Sequence, residues 1–351
     1  MGSRDDRYVA YFIRLCVERN RMEKRVAKWD NAKGILIYMI VLTHVGEKWV
    51  LDYAMLKRML MFFYILCIPC FLFMAGYFGR NIINERRYEK IFSYLVLYVF
   101  MKMLNTVSIY IGSGKWEFRL WSDKTASWFA FAMCVYYLLM IVLKNVDKWW
   151  LFCAAVLLSC FTGYDTSIGD FLILGRIFVF FPFFLAGYHI DMNKTMKMIQ
   201  NRWVKLAAVI CLILVVGMCY FKIDSVFTFR GFFSGSYSYE ETLGRRAVWG
   251  AIYKLVQYVL SFVTIFAFLC LVPDKRLGNL SVIGRKTLPI YAYHLFFINA
   301  FMRNIELNGI CKPNGLACVG IVFLLSAVDL LICQSKPLCI VLNKVITFRK
   351  E

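Results

Sequence analysis

Charged residues are scarce in this sequence, and their scarcity excludes a water-soluble protein. They make up 18% of the 351 residues, whereas hydrophobic residues make up 61%. A soluble domain contains about 45–50% apolar residues, so a soluble core could not bury this much apolar surface. The sequence also lacks a linker, a low-complexity tract and an appended soluble domain. It therefore predicts one domain that crosses a membrane many times.

Acidic residues are the rarer of the two charges. The chain has 22 Asp and Glu against 42 Lys and Arg, a net charge of +20. In a soluble protein this excess would suggest nucleic acid as a partner. Here the basic residues form short runs between apolar stretches, the pattern that orients a membrane protein. We therefore expect a lipid bilayer as partner and no nucleic acid.

A complete cysteine-based metal site is also missing from the sequence. The 13 cysteines are scattered through apolar stretches, where a thiol behaves as a small buried hydrophobe. Cys67 and Cys70 have the spacing of a metal or redox pair, but no second pair or nearby histidine completes a site. The sequence therefore predicts neither disulfides nor a bound metal.

Apolar runs bounded by charged residues predict the fold class. About 20 apolar residues make one spanning helix, and Lys and Arg are concentrated in one alternating set of loops and at both ends of the chain. We expect an all-α polytopic membrane bundle of about ten transmembrane helices, with both termini in the cytoplasm. The predicted spans lie near residues 33–51, 57–79, 91–111, 126–143, 149–163, 169–189, 204–221, 248–271, 287–305 and 316–334.

The domain division follows from these spans. Residues 1–28 form a basic cytoplasmic segment without a signal-peptide cleavage pattern, residues 29–335 form the membrane domain, and residues 336–351 form a cytoplasmic tail. Met22 offers a second start, so the sequence leaves open whether residues 1–21 belong to the native chain.

The first predicted helix carries two ionisable residues on one face. Eleven residues separate Lys33 from His44, which is about three helical turns and a rise of about 16 Å. Ionisable groups inside spans are costly and suggest function, although a single histidine is also explained as a hydrogen-bonded packing residue. Asp30 precedes Lys33 by three residues on the same face, and we expect it to position that lysine.

A second histidine is predicted at a similar depth. His294 lies about eight residues from the start of its helix, a rise of about 12 Å. We expect it to share a polar cavity with His44, with Tyr291 or Tyr293 nearby. The third histidine, His189, lies at a helix end and needs no special role.

Three ordered motifs resemble those of the membrane acyltransferase-3 family. They are Asp30-x-x-Lys33-Gly34-x9-His44, the aromatic-rich run from Phe71 to Tyr77, and the segment from Gly284 to His294. With Trp128-Phe129 and the run from Phe180 to Tyr188, the resemblance covers residues 28–335 and is closest to the fucose 4-O-acetylase-like branch. The chain departs from the family at Ala75, where serine is usual, and at Lys90, where a second arginine is expected.

The resemblance implies an acyl-CoA-dependent O-acyltransferase of the bacterial cytoplasmic membrane that acetylates a cell-envelope carbohydrate or glycan precursor. Acetyl-CoA is then the acyl donor, and no metal is needed. His44 would be the general base, with Lys33 and Asp30 beside it. His294 would orient the thioester or donate a hydrogen bond to the developing oxyanion. Coenzyme A phosphates would be held by Lys33 and by Arg86, Arg87 and Lys90. Ordinary positive-inside topology explains the loop residues equally well.

Acceptor-binding residues are expected toward the outer side. Arg176 lies within a predicted span, where an arginine should face a cavity or a ligand. Trp128 lies at the start of another span, and Tyr239 and Arg246 belong to a long loop that mixes aromatic and charged residues. An interfacial aromatic belt is the alternative explanation for that loop.

A transporter or flippase for an envelope precursor is the main alternative function. The sequence shows no inverted repeat and no paired Gly- or Pro-broken helices, which such transporters commonly have. A pure binding or assembly subunit would leave Lys33 and His44 unexplained.

Overall fold

The computed structural model describes residues 27–116, 118, 125–168, 173–302, 305 and 316–347. Within these residues the secondary structure is helical and contains no strand, which confirms the all-α prediction. Helix α1 covers residues 27–46 and continues as a 3₁₀ turn, Glu47–Trp49. The remaining helices are α2 (Ala54–Asn84), α3 (Glu89–Ser113), α4 (Trp128–Leu143), α5 (Lys148–Thr162), α6 (Leu174–His189), α7 (Met192–Gln200), α8 (Arg202–Phe221), α9 (Ile223–Phe227), α10 (Arg230–Ser234), α11 (Tyr239–Leu243), α12 (Gly250–Leu271), α13 (Asn279–Arg285), α14 (Thr287–Phe297), α15 (Leu316–Cys333) and α16 (Lys336–Ile346).

Several helices are long and apolar enough to cross a membrane. Among the described residues there are five, and a sixth if α6 and α7, which meet at an angle of 88°, form one broken span. The five are Ala54–Asn84, Glu89–Ser113, Arg202–Phe221, Tyr239–Leu271 and Leu316–Cys333. Each of the ten predicted segments overlaps a helix, but the number of spans and the side of the termini stay predictions.

Two regions are more helical than the sequence pattern indicates. Residues 222–246, predicted as a long loop, contain the three five-residue helices α9, α10 and α11. These helices are too short to produce a clear hydrophobic period. Helix α16 lies in the predicted tail and packs on α3, where the Ser93 hydroxyl donates to the Ile346 carbonyl at 2.9 Å.

Polar contacts fix the start of α1 against the connection between α12 and α13. The Lys28 ammonium donates to the Val272 carbonyl at 2.6 Å, and the Asn31 amide donates to the carbonyls of Pro273 and Lys275. Gly284 of α13 lies directly against the Asp30 carbonyl, so closely that a Cβ atom would collide with it. Contacts with backbone carbonyls therefore fix the start of α1, the helix that carries Lys33 and His44.

Helices α2 and α6 cross closely in the core. A Cβ atom on Gly76 would collide with the Phe184 carbonyl, and one on Gly187 would collide with the Phe73 carbonyl. Small residues at a crossing let two backbones approach closely. The similar Ala-Gly-Tyr sequences of these two helices therefore serve packing.

Candidate active site

The sequence predicts that two histidines share a polar cavity. In the structure their rings are neighbours, but His294 lines neither of the two cavities that reach His44. The ring centroids of His44 on α1 and His294 on α14 are 5.2 Å apart, with the ring planes inclined by 41°. His294 is completely buried, whereas the side chain of His44 is 27% exposed. A molecule that enters from solvent therefore reaches His44 before it reaches His294.

Backbone carbonyls determine which nitrogen of His294 carries a proton. Its Nδ1 atom lies 3.1 Å from the Ile290 carbonyl oxygen and 2.9 Å from that of Tyr291. Both oxygens are acceptors, so Nδ1 is the donor, and a neutral ring then carries a lone pair on Nε2. Nε2 is buried without a hydrogen-bond partner among the described residues. The expected donation to an oxyanion is thus at odds with a neutral His294, which is a hydrogen-bond acceptor.

A carboxylate that the sequence analysis missed lies beside His44. The Oε2 atom of Glu47 is 3.5 Å from His44 Nδ1, and its Oε1 atom accepts from the Tyr64 hydroxyl at 2.7 Å. Glu47 follows His44 by three residues, the spacing of neighbours on one helical face. That spacing was the available signal, whereas the contribution of Tyr64 from α2 needs the folded structure.

A cavity of about 260 Å³, here called the Lys33 cavity, extends along α1. Lys33 lines one end and His44 the other, and most of the wall is apolar, including Ile37, Phe71 and Met74. The prediction of a polar cavity is wrong for this space, because the α1 face between the two ionisable residues carries isoleucines. Its shape suits a long, weakly polar chain.

A second cavity of about 310 Å³, here called the Arg176 cavity, extends from His44 in the opposite direction along α1. Its wall includes Glu47, Tyr64, Arg176 and Asn299, so it is the more polar of the two. The two cavities share five lining residues, namely Ile40, His44, Ile68, Ala126 and Trp128. His44 therefore lies at their boundary.

A π-helical turn shapes one wall of the Arg176 cavity. Helix α14 continues as the π-helix Ile298–Met302, a feature often found at functional sites. This turn places Asn299 in the cavity wall, with its side-chain amide donating to the Asn105 side chain at 3.1 Å. The amide is thereby held in a fixed orientation toward any ligand.

Two predicted acceptor residues meet in the Arg176 cavity. The Arg176 guanidinium carbon lies 5.2 Å from the centroid of the Trp128 ring, and Arg176 Nε donates to the Ser236 hydroxyl at 2.5 Å. Trp128 is itself stacked on Phe180 at 5.2 Å. The arginine is therefore held over an aromatic face next to His44.

The predicted contact between Asp30 and Lys33 is present. Asp30 Oδ1 lies 3.0 Å from Lys33 Nζ, and the ammonium is also 5.9 Å from the centroid of the Phe78 ring. Lys33 is 27% exposed while Asp30 is nearly buried. The carboxylate thus holds the lysine at the mouth of the Lys33 cavity.

The structure does not bring the other predicted residues to these cavities. Arg86, Arg87 and Lys90 lie in and beside the connection between α2 and α3, and Arg87 is engaged by Glu85 at 3.4 Å and Glu89 at 3.7 Å. Sequence alone cannot show that nearby acids already occupy this arginine.

The predicted acceptor roles of Tyr239 and Arg246 are not supported by their positions. Tyr239 is buried, its hydroxyl donates to the Cys160 carbonyl at 2.9 Å, and its ring fills the space beside Gly163 and Gly250. Arg246 is exposed on the 3₁₀ turn Gly244–Trp249. An aromatic-rich loop pattern does not reveal which ring turns into the protein.

No group of three or more potential metal ligands occurs in the part of the chain that the structure describes.

Comparison with known proteins gives one match. The family model for the acyltransferase-3 domain, described as an acyltransferase domain, matches residues 26–333. No curated protein and no solved structure matches the chain. The matched range contains both cavities and both histidines.

Proposed function

Because the chain belongs to the membrane acyltransferase-3 family, we propose that it transfers an acetyl group from acetyl-CoA to a hydroxyl of a cell-envelope carbohydrate or glycan precursor. The observation that carries this proposal is the position of His44 at the boundary between the apolar Lys33 cavity and the polar Arg176 cavity. A general base at such a boundary reaches a hydroxyl on one side and a thioester on the other.

In the proposed reaction the donor thioester occupies the Lys33 cavity and the acceptor hydroxyl enters the Arg176 cavity. Glu47 holds the Nδ1 side of His44, which leaves Nε2 to take the hydroxyl proton. The hydroxyl oxygen attacks the thioester carbonyl, and a tetrahedral intermediate forms. When the carbon–sulfur bond breaks, the sulfur receives the proton from His44. The products are the acetyl ester and free coenzyme A.

His294 acts in this scheme as a hydrogen-bond acceptor beside His44. Its Nδ1 proton is directed at two backbone carbonyls, and its Nε2 lone pair is available to a hydroxyl or to an N–H group. Its role is therefore to orient a group that reacts at His44.

The donor is proposed to enter at the end of the protein that carries Lys33. Lys33, Arg86 and Lys90 are at this end, and their positive charge raises the local concentration of an anionic donor. Arg87 lies at the same end but is engaged by Glu85 and Glu89. The positive-inside pattern puts this end in the cytoplasm of a bacterial cell. The acceptor then approaches from the end that carries Arg176, where Trp128 offers a flat apolar face and Arg176 offers hydrogen-bond donors to sugar hydroxyls.

Release of free thiol from acetyl-CoA by the purified protein tests the proposal. We expect membrane extracts that contain candidate envelope glycans to stimulate release, with the radiolabelled acetyl group recovered on a carbohydrate. His44→Ala should abolish release, while Cys153→Ala, an exposed site on α5, should not change it. Uptake of a glycan with the thioester left intact would indicate a transporter and contradict the proposal.

A further inference from the structure

A third cleft lies at the same end as Lys33, and neither the motifs nor the reaction scheme accounts for it. It has a volume of about 600 Å³ and opens where α2 ends and where the chain turns from α6 into α7. Its wall includes Arg80, Asn81, His189 and Asn193. We infer that this Arg80 cleft binds the phosphate-bearing part of the acyl donor, an inference that rests on the proposed function.

The Arg80 cleft adjoins the Lys33 cavity through one aromatic ring. Phe78 lines both spaces, and its side chain is 41% exposed. Lys33, at the mouth of its cavity, lies above the same ring. A molecule that enters the Lys33 cavity with one end thus has its other end beside the Arg80 cleft.

The distances fit a donor with a long arm. From Lys33 to His44 the α1 axis rises by about 16 Å, the scale of an extended pantetheine arm. A thioester at His44 would therefore place the far end of that arm near Lys33 and Phe78. The next groups along coenzyme A are phosphates, and the polar space nearest to that point is the Arg80 cleft.

The cleft is lined by one cation, Arg80, which is available, and by one acid, Asp191, which is engaged. Arg80 is exposed, and its side chain forms no ion pair or hydrogen bond with the other residues the structure describes. Asp191, which also lines the cleft, caps α7 by accepting from the backbone N–H groups of Asn193 and Lys194. Such caps are a common use of aspartate at a helix start. The free charge that faces the cleft is therefore positive.

His189 adds a second donor to the cleft. Its Nε2 atom is buried and has no hydrogen-bond partner within the described ranges, and His189 lines the cleft together with Arg80. Asp147, the nearby acid, is engaged as the cap of α5. A guanidinium fork and an imidazole in one cleft form a suitable site for phosphate oxygens. By contrast, Arg87 is held between two glutamates.

The test compares ligands that differ only in the part assigned to this cleft. Binding of coenzyme A and of pantetheine to the purified protein is measured by calorimetry. The variants are Arg80→Ala, Asn193→Asp, and the control Arg87→Ala. Asn193 is exposed, so its replacement by aspartate adds a negative charge to the cleft with little disturbance of folding. The measurement needs no knowledge of the acceptor.

We expect Arg80→Ala and Asn193→Asp each to weaken coenzyme A binding about tenfold, the effect of losing one charge-assisted hydrogen bond. Pantetheine binding should stay unchanged in both, and Arg87→Ala should change neither ligand by more than about twofold. Equal weakening of both ligands, or no weakening of coenzyme A, would overturn the inference. So would a loss of co-purified anionic lipid in Arg80→Ala with normal coenzyme A affinity, since a lipid headgroup carries the same phosphate chemistry. If the wild-type protein binds neither ligand, the proposed donor itself is wrong.

Discussion

His44 and Glu47 face each other across 3.5 Å at the point where α1 tightens into a 3₁₀ turn. Because Glu47 also accepts from Tyr64 on α2, the carboxylate is fixed from two sides, and so is the nitrogen of His44 that it faces. The opposite nitrogen of the ring is then directed away from Glu47. This arrangement makes the reactivity of His44 dependent on its neighbour, and the dependence is measurable.

Replacement of Glu47 by glutamine should lower kcat by at least about tenfold and leave the donor KM nearly unchanged. The amide keeps the size of the side chain but loses the negative charge that stabilises a protonated His44. Steady-state thiol release at varied acetyl-CoA concentration separates the two constants. Tyr64→Phe is expected to have a smaller effect in the same direction. A change confined to KM would instead place Glu47 in substrate binding.

His44→Ala should reduce turnover by about 10²-fold to 10⁴-fold, the usual contribution of a general base. The variant should still bind coenzyme A, because the binding residues are elsewhere. Retained binding with lost turnover distinguishes a chemical defect from misfolding. Turnover close to that of the wild-type protein would remove His44 from the mechanism.

His294→Asn should lower turnover, since it removes the buried Nε2 acceptor beside His44. With S-acetylpantetheine as the donor, the loss of turnover should be larger for His294→Asn than for His189→Asn. This donor lacks the phosphates that are assigned to the Arg80 cleft, which His189 lines. Equal rates in the two variants would make His294 a packing residue. Melting temperature in detergent serves as the check on folding.

Arg176→Ala should raise the acceptor KM about tenfold and leave the donor KM unchanged. Arg176 lines only the more polar of the two cavities at His44, and loss of a charge-assisted hydrogen bond has about this effect. The matched control is Arg246→Ala, which removes an exposed arginine from the 3₁₀ turn Gly244–Trp249 and should change neither constant. An equal effect of both replacements would point to a general loss of surface charge.

Gly76→Ala and Gly187→Ala should each destabilise the protein by about 1–3 kcal/mol, because the added methyl group meets a backbone carbonyl that cannot move aside. Gly217→Ala on α8 is the control, since no atom lies within 4 Å of the position its Cβ would take. That control should be neutral or slightly stabilising, as alanine is the better helix former. Thermal unfolding in one detergent compares the three variants. Equal melting temperatures would show that the α2–α6 crossing is loose.

Local sequence patterns predicted those parts of the site that depend on one helix. Asp30, Lys33 and His44 are spaced by whole helical turns, so their alignment on one face of α1 follows from helix geometry alone. The apolar runs likewise predict helices, since their pattern depends only on composition. The pairing of His44 with His294 joins residues 250 positions apart, and it was predicted from their similar depths along two helices together with the family resemblance.

The rest depends on contacts between distant segments or on short elements. Tyr64 reaches Glu47 from another helix, and the inward turn of Tyr239 depends on the space left by Gly163 and Gly250. The Arg80 cleft forms because α6 ends against α2 and bends sharply into α7. None of these arrangements leaves a periodic signal in the sequence.

The two cavities that meet at His44 extend in opposite directions along α1 and share a wall that contains His44. In the proposed reaction the acetyl group passes from one cavity to the other beside His44. The donor and the acceptor each stay in their own cavity. The proposed transfer needs no open passage through this wall, so it would leave the membrane impermeable to ions. Measurement of ion leakage from liposomes during turnover would show whether that seal is kept.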